Sequence, residues 1–145
     1  MTECKHRRSS NKHDDGFSLV ELLVVLAIIG LIASLALPQV LRYLGNARTD
    51  TAQTQIKSIE SAMELYFIDN GQYPSDQAGI QALEKAPTDA IGWNGPYLKN
   101  AGNLKDPWGK PYIYKIDDGG TKFSVSSLGR DGKSGGAGED SDITN

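Results

Sequence analysis

Leu22 to Leu41 reads LLVVLAIIGLIASLALPQVL, an unbroken run without a charged residue. As a helix such a run rises about 30 Å, the thickness of a bilayer's hydrocarbon core, so it is long enough to span a membrane. Beyond Arg42 the pattern changes. Ala52, Ile56, Ile59, Met63 and Tyr66 recur at steps of four and three, while Thr54, Lys57, Ser58, Glu60 and Ser61 fall off that stripe. This is the signature of an amphipathic helix with one buried face. Apart from Gly45 and Asn46, no breaker interrupts the chain between Arg42 and Gly71. The pattern therefore predicts one helix from about Phe17 to about Asn70, apolar all round in its first half and packed against a small head in its second. Asn70-Gly71 supplies the stop, since both residues tolerate the left-handed conformation that ends helices.

The head reads as shorter pieces. Asp76 to Leu83 predicts a short second helix carrying Ile80 and Leu83 inward. Gly92 to Leu98 (GWNGPYL) and Asp106 to Tyr112 (DPWGKPY) are too rich in Gly and Pro for regular structure. Aromatics interleaved with turn residues suit either a carbohydrate or peptide groove or the plugging of a thin core, and in a small domain the core is the stronger reading. Tyr112 to Ile116 and Lys122 to Val125 read as strands joined at Asp117-Asp118-Gly119-Gly120, a hairpin. The expected class is α+β: a long amino-terminal helix and a small carboxy-terminal head with a short antiparallel sheet.

Charge and cysteine usage narrow the function. Residues 1–16 carry Lys5, Arg7, Arg8 and Lys12 against Glu3, Asp14 and Asp15, a net +1, so the remainder holds −4 of the chain's formal −3. A basic leader and an acidic remainder argue against nucleic-acid binding. They suit a leader retained in the cytoplasm and a remainder exported, although Asp14, Asp15, Arg42 and Arg48 weaken that signal. Cys4, His6 and His13 all lie within the first 16 residues. The rest of the chain has no disulfide to staple a small exported head, so a metal is worth looking for.

Glu21 stands at the edge of the apolar run. An ionisable group beside a membrane helix is unfavourable unless it has a partner, and it usually marks a function. The preceding residues are not a secretory signal, because the small residue Gly16 comes before the apolar run, not after it. Cutting after Gly16 would remove the charged leader, keep the helix and leave Phe17 as a new amino terminus. That amine would lie at i, i+4 to Glu21, within reach of the carboxylate of its own chain or of a neighbour. The plainer reading makes Glu21 a snorkelling residue of an ordinary signal anchor. Pro38, inside the run, lacks an N–H and clashes with the preceding turn, at about 3 kcal/mol.

The stretch GFSLVELLVVLAIIG closely resembles the class III signal of type IV pilins and type II secretion pseudopilins. The resemblance implies cleavage between Gly16 and Phe17 by prepilin peptidase, N-methylation of Phe17, and a Glu21 that neutralises the amine of an adjacent subunit during assembly. It also implies that Pro38 sits where family helices bend or melt. The phrases NGQYPSDQAGIQAL, GPYLK, DPWGKPYIY and SLGRDG are similar to the G-type major pseudopilin, and with the amino-terminal motif they cover nearly the whole chain. Segments 1–16, 17–45 and 46–145 are then expected to be the leader, the transmembrane and polymerisation helix, and a periplasmic head of pilin-like fold.

From Ser126 the chain reads SSLGRDGKSGGAGEDSDITN, rich in glycine and acids. Calcium takes six to eight oxygens from carboxylates, carbonyls and water, and glycines let carbonyls turn toward an ion, yet the same composition suits a solvated tail. The EF-hand spacing is absent. The resemblance implies calcium here, with Asp131 and Asp142 as best-matched ligands, the Leu128 carbonyl beside them and Asp140 as a further ligand; the choice among Ser134, Glu139 and Asp140 stays open.

The expected function is that of the major subunit of a type II secretion pseudopilus, a self-assembled periplasmic fibre that drives export of folded proteins. The resemblance implies minor pseudopilins, an inner-membrane assembly platform, prepilin peptidase and the membrane as partners, and no nucleic acid. One rival is a type IV pilin or competence pseudopilin serving adhesion or DNA uptake; the missing disulfide and the acidic head oppose it. Another is a membrane-anchored enzyme using Asp117-Asp118, which the lack of histidine, cysteine and a nucleophile motif beyond residue 16 disfavours.

Overall fold

A computed structural model describes residues 17–88, 90–117 and 119–145. The Gly16 side of the expected cleavage step lies outside the described residues. Two compact units divide the chain, the first ending at Gln39 and the second running from Val40 to Asn145.

Helix α1 spans Leu19–Asn70. It starts two residues later than the pattern predicts and stops where expected. In the first unit its side chains are exposed on every side, including Leu22, Leu26, Ile29, Ile32 and Leu35. It is long and apolar enough to cross a membrane. Ser34, a polar residue within the run, donates its hydroxyl to the Leu31 carbonyl at 2.7 Å, which removes an unpaired donor from that surface. The chain stays helical through Pro38, so the melting implied by the resemblance is not part of this structure. What Pro38 removes is the N–H that would reach the carbonyl of Ser34.

In the second unit α1 presents the expected stripe. Ala52, Ile56, Ile59, Met63 and Tyr66 are buried, joined by Gly45 and Ala62. Gly71 adopts φ +74° and donates to the Phe67 carbonyl at 2.7 Å, which turns the chain out of the helix. The predicted helix over Asp76 to Leu83 is shorter and tighter, a 3₁₀ segment at Gly79–Leu83. Gly79 has φ +55°, a left-handed residue that an α-helix could not carry through from Asp76. Leu83 is buried as expected, whereas Ile80 is half-buried and Ala82, not among the expected inward residues, is buried in its stead.

The sheet is antiparallel in the order β1-β2-β3, with β1 Ile113–Ile116, β2 Phe123–Ser127 and β3 Ile143–Thr144. Ile113 faces Ser126, Ile116 faces Phe123, and Ser127 faces Ile143. The hairpin lies where the sequence places it. Asp117 closes it by accepting from the N–H groups of Thr121 and Lys122, both at 3.0 Å. These backbone bonds hold its carboxyl below the usual range, that from Lys122 most of all. Strand β3 has no counterpart in the sequence pattern, because two residues cannot show an alternation.

The aromatic segments are core plugs. The Trp93 indole donates to the Ala82 carbonyl at 2.9 Å, and the Tyr97 hydroxyl donates to Asp69 at 2.7 Å. Tyr66 and Tyr97 meet edge to face at 5.7 Å. In DPWGK the buried Asp106 acts as a knot. One carboxylate oxygen accepts from the N–H groups of Trp108 and Lys110, and the other accepts the Ser127 hydroxyl at 2.6 Å. That knot fastens the turn before β1 to the end of β2, from which the carboxy-terminal loop departs.

Candidate functional site

Two groups of residues carry the expected chemistry. At the amino-terminal end Phe17 precedes the helix and is exposed, and Glu21 lies exposed in the first turn. A carboxylate there complements the positive end of the helix dipole. Phe17 lies outside the helix, so the i, i+4 alignment with Glu21 is not built into one continuous helical face. Among the described residues the ion pairs all belong to Arg130. Glu21 therefore has no cationic partner within the described part of its own chain.

The second group is the loop from Leu128 to Asp142. Its path depends on glycines that close neighbours would not otherwise allow. Gly129, at φ +64°, lies so close to the returning limb of the loop that a Cβ would stand 2.5 Å from the Glu139 carbonyl oxygen and 2.9 Å from that of Ser141. The Arg130 N–H donates to the Glu139 carbonyl at 2.8 Å, clasping the loop's two limbs. On the helix side, a Cβ at Gly45 would meet the Glu139 carboxylate at 2.4 Å, so the limb rests on α1 where that helix has no side chain.

The acids are distributed and do not converge. Asp131 accepts from the Lys133 N–H at 3.0 Å. Asp142 accepts from the Gly135 N–H at 2.9 Å and the Ser134 hydroxyl at 3.3 Å. Asp140 faces Arg130, with Nε at 2.9 Å from one carboxylate oxygen and Nη2 at 2.8 Å from the other, while Nη1 reaches Glu139 at 3.2 Å. This fork holds the Asp140 carboxyl below its usual range and raises the guanidinium. Among the described residues no three His, Cys, Asp or Glu side chains come together as metal ligands. The arrangement of the acids thus does not fit the calcium site expected from the Leu128 carbonyl with Asp131, Asp140 and Asp142, since Asp140 is bound by an arginine and Asp131 and Asp142 each accept from a different main-chain N–H.

Sequence reasoning overlooked Arg130, Lys110, Gly45 and the Asp106–Ser127 pair. Their contacts span about 10 to more than 90 positions at no regular spacing, so no periodic signal announces them. The hairpin carboxylate Asp117, considered for an enzyme, is a turn cap; its neighbour Asp118 lies outside the described residues.

Comparisons with known proteins fit this arrangement. The family profile described as "Prokaryotic N-terminal methylation motif" matches residues 11–37, and "Type II secretion system (T2SS), protein G" matches residues 39–145. The chain belongs to the type II secretion system protein G family. Within the protein G family, the core protein G of Pseudomonas aeruginosa is 41% identical over 138 residues, covering 92% of this chain and 96% of that relative. Its counterpart in Vibrio cholerae is 38% identical over 133 residues, covering 90% of each. Among solved structures, the major pseudopilin from the type 2 secretion system of enterohaemorrhagic Escherichia coli superposes with a TM-score of 0.57 at 25% identity, over 69% of this chain and 87% of that one. The pilin-like α+β class expected from the sequence is therefore the class observed.

Proposed function

We propose that this protein is the major structural subunit of a type II secretion pseudopilus. The observation that carries the reading is the pairing, in one chain, of the methylation motif with a protein G head, on a helix whose apolar surface is exposed on all sides. Prepilin peptidase would cut between Gly16 and Phe17, and Phe17 would be methylated. The apolar part of α1 anchors the subunit in the inner membrane with its head in the periplasm. On leaving lipid it needs another apolar surroundings, which identical helices supply.

Glu21 gives the assembly its register. Once that carboxylate is surrounded by apolar helices it requires a cation, and the amine of Phe17 in an adjacent copy is the one the motif provides. A subunit added out of register would bury an unpaired charge, at several kcal/mol, and would be rejected. Minor pseudopilins and an inner-membrane platform complete the machine, and the growing fibre moves folded proteins outward. The role is structural and not enzymatic, in keeping with Asp117 serving as a turn cap. Glu21→Ala tests this: leader removal should proceed and fibres should be lost, whereas fibres at the normal level would overturn the pairing.

A further inference from the structure

We propose that Arg130 and Lys110 serve as the carboxy-terminal loop's own counter-cations, so that this loop keeps its fold without a divalent ion. The loop is an unpromising structure on its composition. It has five glycines between Gly129 and Gly138 and places Glu139 beside Asp140, so it has few side chains to pack and like charges to separate. Calcium would meet that need through carboxylate and carbonyl oxygens. In this chain two of the acids, Glu139 and Asp140, and two carbonyls, those of Gly129 and Arg130, already face a cation, while Asp131 and Asp142 accept from main-chain N–H groups of the loop itself.

The carboxylates of Glu139 and Asp140 belong to Arg130. Its guanidinium takes both oxygens of Asp140 and one of Glu139, the planar bidentate match for which arginine is suited and lysine is not. The same residue's N–H donates to the Glu139 carbonyl, so one residue bridges the limbs through main chain and side chain together. The carbonyls belong to Lys110. Its Nζ donates to Arg130 O at 2.8 Å and to Gly129 O at 3.3 Å. The ammonium lies against the turn so closely that a Cβ at Gly132 would stand 2.4 Å from it. Lys110 is itself fixed, because its N–H donates to the buried Asp106 at 2.8 Å. A calcium ion recruiting Asp140 would first have to displace the guanidinium fork.

Hydrogen exchange of the full-length protein in mild detergent tests this, with EGTA or millimolar calcium chloride as the only difference. In the wild type, amides of residues 128–142 should exchange at the same rate in both buffers. In Lys110→Met/Arg130→Ala the same amides should exchange about fivefold faster in EGTA, the scale of weakly coupled ion pairs. Core amides at Ile56, Ile59 and Met63 should keep their protection, which shows that the head remains folded. Should that variant lose core protection, Arg130→Gln alone replaces it with the same expected loop-only change. Wild-type loop exchange that quickens on chelation would overturn the proposal without any variant, and so would a variant loop as slow as the wild type in EGTA. The readout does not involve fibre formation, so its failure leaves the assembly reading untouched.

Discussion

Replacing Gly129 by alanine offers a calibrated test of how the carboxy-terminal loop is closed. Gly129 and Gly138 have nearly the same positive φ, +64° and +63°, but different surroundings. A Cβ at Gly138 meets nothing within 4 Å, whereas one at Gly129 would meet three backbone atoms of Glu139, Ser141 and Asp140 at 2.5 to 3.0 Å. An alanine in the left-handed region is disfavoured by about 1–2 kcal/mol, and that applies at both positions. At Gly129 the limb must also move away, adding about 1–3 kcal/mol by analogy with overpacked sites. Gly129→Ala should therefore destabilise the head by about 2–5 kcal/mol and Gly138→Ala by about 1–2 kcal/mol. Urea unfolding of the full-length protein in mild detergent measures both through Trp93 and Trp108, which are half-buried in the head. Equal losses would refute the close approach of the two limbs at Gly129.

Two further predictions concern the tie between the DPWGK turn and the sheet. Asp106→Ala leaves the Ser127 hydroxyl and the N–H groups of Trp108 and Lys110 without their acceptor, so a loss of about 3 kcal/mol is expected in the same unfolding assay, given about 1–3 kcal/mol per unsatisfied buried group. Asp106→Asn, which retains one acceptor oxygen, should recover part of it. Burial, with a smaller contribution from the charge of Asp106, pushes the Tyr112 phenol up from 10.0 to about 12. The fold thus favours the neutral phenol; its contribution is complete below pH 10 and is lost as pH rises from there toward about 12. Stability measured across that window should fall, and Tyr112→Phe should flatten the fall while removing the bond to Gln55.

Much of the fold could be read from the chain because its main features are periodic or local. The stripe from Ala52 to Tyr66 repeats at helical spacing over fifteen residues and is buried as that spacing requires. The turn residues between β1 and β2 place the hairpin, and Asp117 explains why it closes there. The 3₁₀ segment departed from expectation at one left-handed residue, Gly79, whose φ is not encoded by hydrophobic pattern. The loop was harder to read. Its acids were visible in the sequence, but whether a carboxylate faces a metal or an arginine depends on the fold of a glycine-rich limb that no periodicity specifies. Arg130 stands ten positions from Asp140, and Lys110 twenty from the carbonyl it caps. At the amino-terminal end the signal is local: the run from Gly16 to Glu21 lies within the segment that matches the methylation motif.

Intact mass of the protein extracted from membranes tests the central claim most directly. The account predicts a chain that begins at Phe17, lacks residues 1–16 and carries one added methyl group. A mass that retains Met1 and the rest of the leader would contradict it, because without a free amine at Phe17 the carboxylate of Glu21 has no partner to align one subunit with the next.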